Sequence, residues 1–263
     1  ICSAFYIPFM LLLGGLIFRA VAIEFRSKQP MAWWRGMWDI FFSVASLIIA
    51  LGLGLVMGNL IVGIPLDPYK EFSGRFLDLL NPYALLVGFF AITIFAVHGL
   101  IYILMKTEGE LHDRMRRWVK PSVLLFITFY ILTTAATLIF YPHMREAMEI
   151  RPVFYLVAVI NALAVGNILW QSSRGYDGRA FISSCVNIVC LMTLYAIGTY
   201  PNMVRAVNDP SNVSVTIQNA ASSPATLKIL LLMVIIGLPL VAGYTFAIYW
   251  VFRGKVKLHS TSY

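Results

Sequence analysis

Seven stretches of the chain, near 3–23, 37–63, 82–105, 119–141, 153–171, 179–200 and 227–252, stay apolar over a length that crosses hydrocarbon. A helix rising about 1.5 Å per residue needs about 20 apolar residues to span the roughly 30 Å core of a bilayer. Peptide groups find no water to bond in lipid, so each stretch is expected as a helix that satisfies its own backbone. The expected fold class is therefore all-α, a polytopic transmembrane helical bundle, with residues 1–263 forming a single integral membrane domain. Composition points the same way. Hydrophobic residues make up 60% of the chain and charged residues 12%, against about 25% charged in ordinary soluble domains.

Local signals punctuate these spans. Pro82 and Pro121 are expected to open helices, where a missing amide donor costs nothing. Trp33, Trp34, Trp38, Trp118, Trp170 and Trp250 fall where spans should meet headgroups. Pro239, inside GLPLVAG, is expected to kink the last helix. Gly54 and Gly58 form one GxxxG, which lets two helices approach closely. Asn161, Asn167 and Asn187, with Thr128, Thr133, Thr134 and Thr137, are expected to make interhelical hydrogen bonds.

Charge sets the orientation. If the segments after spans one, three, five and seven face the cytoplasm, that side holds 14 of the 20 Lys and Arg residues and the other side 6. The positive-inside rule then places the C-terminus in the cytoplasm. Seven spans would leave the N-terminus outside, yet the chain begins at Ile1 with no export signal. An earlier N-terminal span is therefore expected, making eight in all. The segment 201–226, rich in Asn, Ser and Pro, reads either as an ordered cap or as a flexible loop.

The net charge of +8 comes with no arginine-rich arm, zinc spacing or aromatic RNA-binding motif, so nucleic acid is not an expected partner. Cys185 and Cys190, five apart in an apolar run, lie on different helix faces and read as packed thiols.

Chemistry inside a membrane needs ionisable or ligating side chains at depth, each costing about 2.5–3.5 kcal/mol on insertion scales. His98, in FAVHGL, is the one histidine well inside a span; His112, His143 and His259 are placed in loops or the tail. A haem held by two histidines of this chain is thus not expected. His98 reads first as a neutral histidine bonded to a neighbouring helix, and more sharply as a polar intramembrane site for proton transfer or quinone contact. Asp39, in RGMWDIFF, opens the second span as an early-turn acid favoured by the helix dipole; a proton-conducting or partner-pairing role is the sharper reading. In GLIFRAVAIEFRSK, Arg19 and Arg26 lie seven apart and share a face, while Glu24 precedes Lys28 by four. A snorkelling helix end suits Arg26 and Lys28 better than Arg19, nearly two turns deeper.

The string GLIFRAVAIEFRSK, followed by WWRGMWD, resembles the start of a segment of subunit II of cytochrome bd-type quinol oxidases. The resemblance continues through FSGRFLDLLNPYALLVG (72–88), KTEGELHDRMRRW (106–118), TYPNMV (199–204), NAASSPATLKILLLMV (219–234) and YTFAIYWVFRGKV (244–256), while 119–198 is less distinctive. It implies a subunit of a terminal oxidase that oxidises quinol and reduces dioxygen to water. The haems b and haem d would be carried by subunit I. Subunit II would form two four-helix bundles, pack against subunit I as a pseudosymmetric heterodimer, support the haem domain and line proton or oxygen routes. Small accessory subunits, membrane lipids and, in some members, a structural quinone complete the implied partners, and the bacterial inner membrane is the implied location. The family's first helix, with its acid-containing stretch, is not in this sequence. By carry-over, Arg19, Glu24, Arg26 and Asp39 form an inter-subunit or proton-path charge cluster. His98 stands where many relatives carry another polar residue, and its neighbours suggest the cyanide-insensitive branch.

Two other classes compete. A secondary transporter or channel would show Gly/Pro-broken helices in corresponding positions of two halves, whereas only the last span has a central proline and no internal repeat is evident. A self-sufficient haem-b membrane reductase would need more than one deep histidine.

Overall fold

The computed structural model describes residues 2–207 and 213–255, with side chains described from Ala4. Eight α-helices dominate it: α1 (Cys2–Arg26), α2 (Ala32–Val62), α3 (Pro82–Lys106), α4 (Gly109–Phe140), α5 (Pro142–Ile150), α6 (Val153–Ser173), α7 (Asp177–Thr199) and α8 (Pro224–Val251). All but the short α5 are long and apolar enough to span a membrane. The all-α, multi-span expectation is met.

The helix starts show the local chemistry at work. Pro82 occupies the first turn of α3, and Asn81 caps it by accepting from the Ala84 amide at 2.8 Å. Pro121 is a correction: it lies inside α4, which begins at Gly109. The charged run 109–118 is helical too, and a membrane helix tolerates an internal proline where neighbouring groups satisfy the freed carbonyl. For the same reason His112 and His143 stand in helices α4 and α5 rather than in loops. His259 lies outside the described residues. α8 continues through Pro239 without a break.

Packing follows chain order. α2 lies between α1 and α3, α3 between α2 and α4, and α7 packs on both α3 and α6. Gly54 and Gly58 make the α2–α3 contact: a Cβ on Gly54 would sit 2.6 Å from Gly88 Cα, and one on Gly58 2.7 Å from Ala84 Cα. Helices α3, α4, α6 and α7 close one four-helix cluster around Phe90, Ile101, Val123, Phe126 and Ile168. No residue of α8 is buried; its C-terminal end is tied to the rest by Lys106 Nζ, which donates to Phe252 O at 2.9 Å.

One end of the bundle carries an ordered cap. The chain leaves α2 through Gly63, whose φ of +94° suits glycine and whose missing side chain admits Arg205 O. Ile64 then pairs with Ala206, beside a two-stranded hairpin of β1 (Asn202–Val204) and β2 (Val215–Thr216). Ile64, Leu66, Leu79, Val204 and Ala206 are buried together with Phe5. Of the two readings of 201–226, the described part takes the ordered one. The opposite end holds the C-terminus of α1, the α3–α4 and α6–α7 turns and the end of α8, and with them most of the arginines and lysines.

Candidate functional site: the charged end of the bundle

The link 27–31 folds α2 back against α1. Trp34 Nε1 donates to Phe25 O at 2.8 Å, and Phe25, Trp34, Trp38 and Phe41 meet in edge-on and tilted contacts. That aromatic clasp brings Arg26 against Asp39: Nε donates to Oδ1 at 2.7 Å and Nη2 to Oδ2 at 3.3 Å. A two-pronged guanidinium–carboxylate pair fixes direction as well as charge. Because α2 starts at Ala32, Asp39 stands two turns inside it, not in its first turn as the sequence suggested. The helix dipole fades within a turn, so Arg26 is the partner that matters.

The other two residues of the expected cluster stand apart. Glu24 reaches Lys28 at 3.8 Å, an exposed i, i+4 pair. Arg19 lies over the Phe42 ring at 5.0 Å, and its buried Nε has no hydrogen-bond partner among the described residues. The structure therefore joins Arg26 to Asp39, leaves Glu24 to Lys28, and leaves Arg19 as a half-buried cation facing α2 with no acid paired to it among the described residues.

A second charged cluster, which the sequence reading passed over, sits at the same end. Asp177 opens α7, where the dipole favours an anion. Arg116 of α4 donates through Nη2 to Asp177 Oδ1 at 2.9 Å and through Nη1 to Ser172 O at 3.1 Å. His112, one turn before Arg116, places Nε2 3.0 Å from Asp177 Oδ2. The Asp177 side chain is 13% exposed. The quoted block KTEGELHDRMRRW holds both α4 residues, and their i, i+4 spacing was the available signal. Their acid lies 61 residues on, beyond any local pattern.

His98 lies in α3, and its Nδ1 is 2.9 Å from Ser184 Oγ of α7. Ser184 spends its proton on Phe181 O at 2.7 Å, so it accepts from His98, whose Nε2 keeps the lone pair. That is one ring nitrogen able to coordinate or accept. The donor set does not fit a haem held by two histidines of this chain: of the other described histidines, His112 sits in the charged first turn of α4 against Asp177, and His143 on the short α5 against Ile61 O. Among the described residues no group of three or more His, Cys, Asp and Glu converges on a metal position.

Seven spanning helices with paired charges gathered at one end define a multi-pass α-helical membrane protein. The chain belongs to the cytochrome bd terminal oxidase subunit II family, whose model matches residues 1–252. It is 26% identical over 284 residues to the cytochrome bd-I ubiquinol oxidase subunit 2 of Escherichia coli strain K12, covering 97% of this chain and 75% of that one. To the cytochrome bd ubiquinol oxidase subunit 2 of Bacillus subtilis strain 168 it is 28% identical over 258 residues, covering 97% and 74%. Its fold matches a chain of the bd oxidase from Geobacillus thermodenitrificans with a TM-score of 0.75, at 16% identity, over 95% of this chain and 76% of that chain. The resemblance read from the sequence blocks holds, and the chain is a subunit of an oxidoreductase complex.

Proposed function

We propose that this chain is the subunit of a cytochrome bd-type terminal oxidase that does not itself ligate haem. It supports a haem-bearing subunit I, in which quinol is oxidised, dioxygen is reduced to water, and haem b and haem d reside. The family match over residues 1–252 carries this reading. The donor inventory supports it: among the described residues one histidine lies deep in a span, already donating to Ser184, which is too few for the axial ligands of such haems. The setting is the bacterial inner membrane. With 13 of the 19 described Lys and Arg at the Arg26–Arg116 end, that end and the C-terminus face the cytoplasm.

Within that assembly, the Arg26–Asp39 pair and Arg19 act as the inter-subunit or proton-path charge cluster. Arg19 supports this because a cation two turns inside a span, whose buried Nε has no partner among the described residues, is offered to an acceptor from another subunit. His98 is a secondary polar position, tied to α7 by its bond to Ser184.

An optical spectrum tests the reading. The purified assembly should show haem b and haem d bands, and this chain purified without its larger partner should show none. Haem bound to the isolated chain would refute it.

A further inference from the structure

The α3, α4, α6, α7 cluster has an apolar core, yet four buried side-chain oxygens in it have no hydrogen-bond partner among the described residues: Thr133 Oγ1, Asn161 Oδ1, Gln171 Oε1 and Asn187 Oδ1. Asn161 is 0% exposed, Asn187 4% and Gln171 7%. Asn161 makes one bond, from Nδ2 to Tyr130 Oη at 3.3 Å. Turning its amide over would satisfy the oxygen and strand the nitrogen, so either assignment leaves one polar atom unpaired.

These groups lie along one seam. Asn167 Nδ2 donates to Ser183 Oγ at 2.8 Å, which sets the antiparallel register of α6 and α7. In that register Asn161 and Asn187 differ by two residues in level, about 3 Å along the axis. Thr133 stands one turn from Tyr130, the partner of Asn161. Gln171 lies about 15 Å from Asn161 along α6, at ten residues and about 1.5 Å each, beside the Arg116–Asp177 cluster. Ala164 and Cys190, both small and buried, are their neighbours on the seam. Buried polar groups in native proteins are paired with protein or with ordered water. An interior that offers several unpaired oxygens beside small side chains is polar enough to hold water.

We propose that the α6–α7 seam, closed by α4, holds buried water molecules: at mid-bundle they bridge Asn161, Asn187 and Thr133, and nearer the charged end one bonds Gln171. The Asn167–Ser183 and Ser184–His98 pairs lie between these two levels, so the seam extends a hydrated polar track from Asp177 to the middle of the bundle. This inference concerns the seam alone and does not rest on the oxidase reading.

A high-resolution cryo-EM map of the intact assembly tests it. Ordered density within hydrogen-bonding distance, about 3 Å, of the Asn161 and Asn187 amides is expected; a dry seam in a map that resolves waters elsewhere overturns the proposal. The thermal midpoint of the Asn187→Leu assembly gives a separate reading. Removing a water's partner should lower it, because Asn161 is then stranded. In a dry seam the same change removes an unpaired polar group and should raise it, which would also overturn the proposal. If Asn187→Leu fails to assemble, Asn187→Ser should assemble and keep the density, and its loss there overturns the proposal too.

Discussion

Arg26 Nε lies 2.7 Å from Asp39 Oδ1, thirteen residues away across the α1–α2 turn, and both side chains remain about half exposed in this chain alone. So exposed a pair contributes only about 0–1 kcal/mol in water. Its value changes if a partner subunit covers it, because removing one member of a buried pair costs about 3–5 kcal/mol. Asp39→Asn, like Arg19→Ala, is accordingly expected to lower the yield of intact oxidase and its haem content several-fold, while the fold of this chain survives. Haem per protein after size-exclusion chromatography checks this, and wild-type values for both variants would remove the charge cluster from the interface.

The α2–α3 contact has no room for a side chain at Gly54, where a Cβ would fall 2.6 Å from Gly88 Cα and 2.7 Å from Val87 O. Both obstacles are backbone and cannot swing aside. Gly54→Ala should therefore destabilise the bundle by about 1–3 kcal/mol. Gly52, with nothing within 4 Å, is the control, since Gly52→Ala meets no such obstacle. Thermal unfolding in detergent separates the two.

Asn59 holds the cap to the bundle. Its Nδ2 donates to Leu79 O at 2.7 Å and its Oδ1 accepts from Asn81 Nδ2 at 2.9 Å, while Asn81 caps α3. Asn59→Leu strands both partners, at about 1–3 kcal/mol for each buried group. Limited proteolysis should then cut within 63–81 faster than in the wild type.

Asp177 holds Arg116 and His112 in place at the α6–α7 turn. Asp177→Ala leaves two cationic or polar groups without their acceptor. The cost of breaking a fully buried pair is about 3–5 kcal/mol, and a smaller loss is expected here because Arg116 is about one-third exposed. A lowered thermal midpoint of the Asp177→Ala chain against wild type is the measurement.

His143, on α5 in the cap, donates from Nε2 to Ile61 O at 3.1 Å. Burial holds its pKa below the usual histidine value, and the Arg205 charge lowers it further, against smaller opposing effects of the Ile61 carbonyl and Glu146. The folded state thus binds fewer protons than the unfolded one between the two pKa values, and stability rises with pH there. The contribution is whole above the unfolded value near 6.5 and is lost as pH falls toward the lowered folded value. His143→Gln should flatten the thermal midpoint below pH 6.5, measured against wild type.

The spans themselves were legible in the sequence because lipid imposes a single rule on every residue they contain. The stretch read as 82–105 is helix Pro82–Lys106, and 153–171 is Val153–Ser173. The rule fails where a helix leaves the bilayer: GELHDRMRRW is polar, so the start of α4 at Gly109 and the helical setting of His112 escaped it. The family, too, was readable in blocks such as FSGRFLDLLNPYALLVG, because order and spacing along the chain carry it. The charge cluster was readable only in part. A seven-residue interval puts Arg19 and Arg26 on one face of α1, yet which of them meets Asp39 depends on how α2 packs back.

By itself, then, the sequence determined that this protein is a bundle of membrane-spanning helices, since apolar length and backbone hydrogen bonding leave no other solution in hydrocarbon. Tertiary structure alone decided which polar groups meet: Arg26 with Asp39, Arg116 with Asp177, His98 with Ser184, and the seam that leaves Asn187 unpaired. Those contacts join residues from 13 to 86 positions apart. They are set by the rotation and register of one helix against another, and no periodicity within a single helix encodes either.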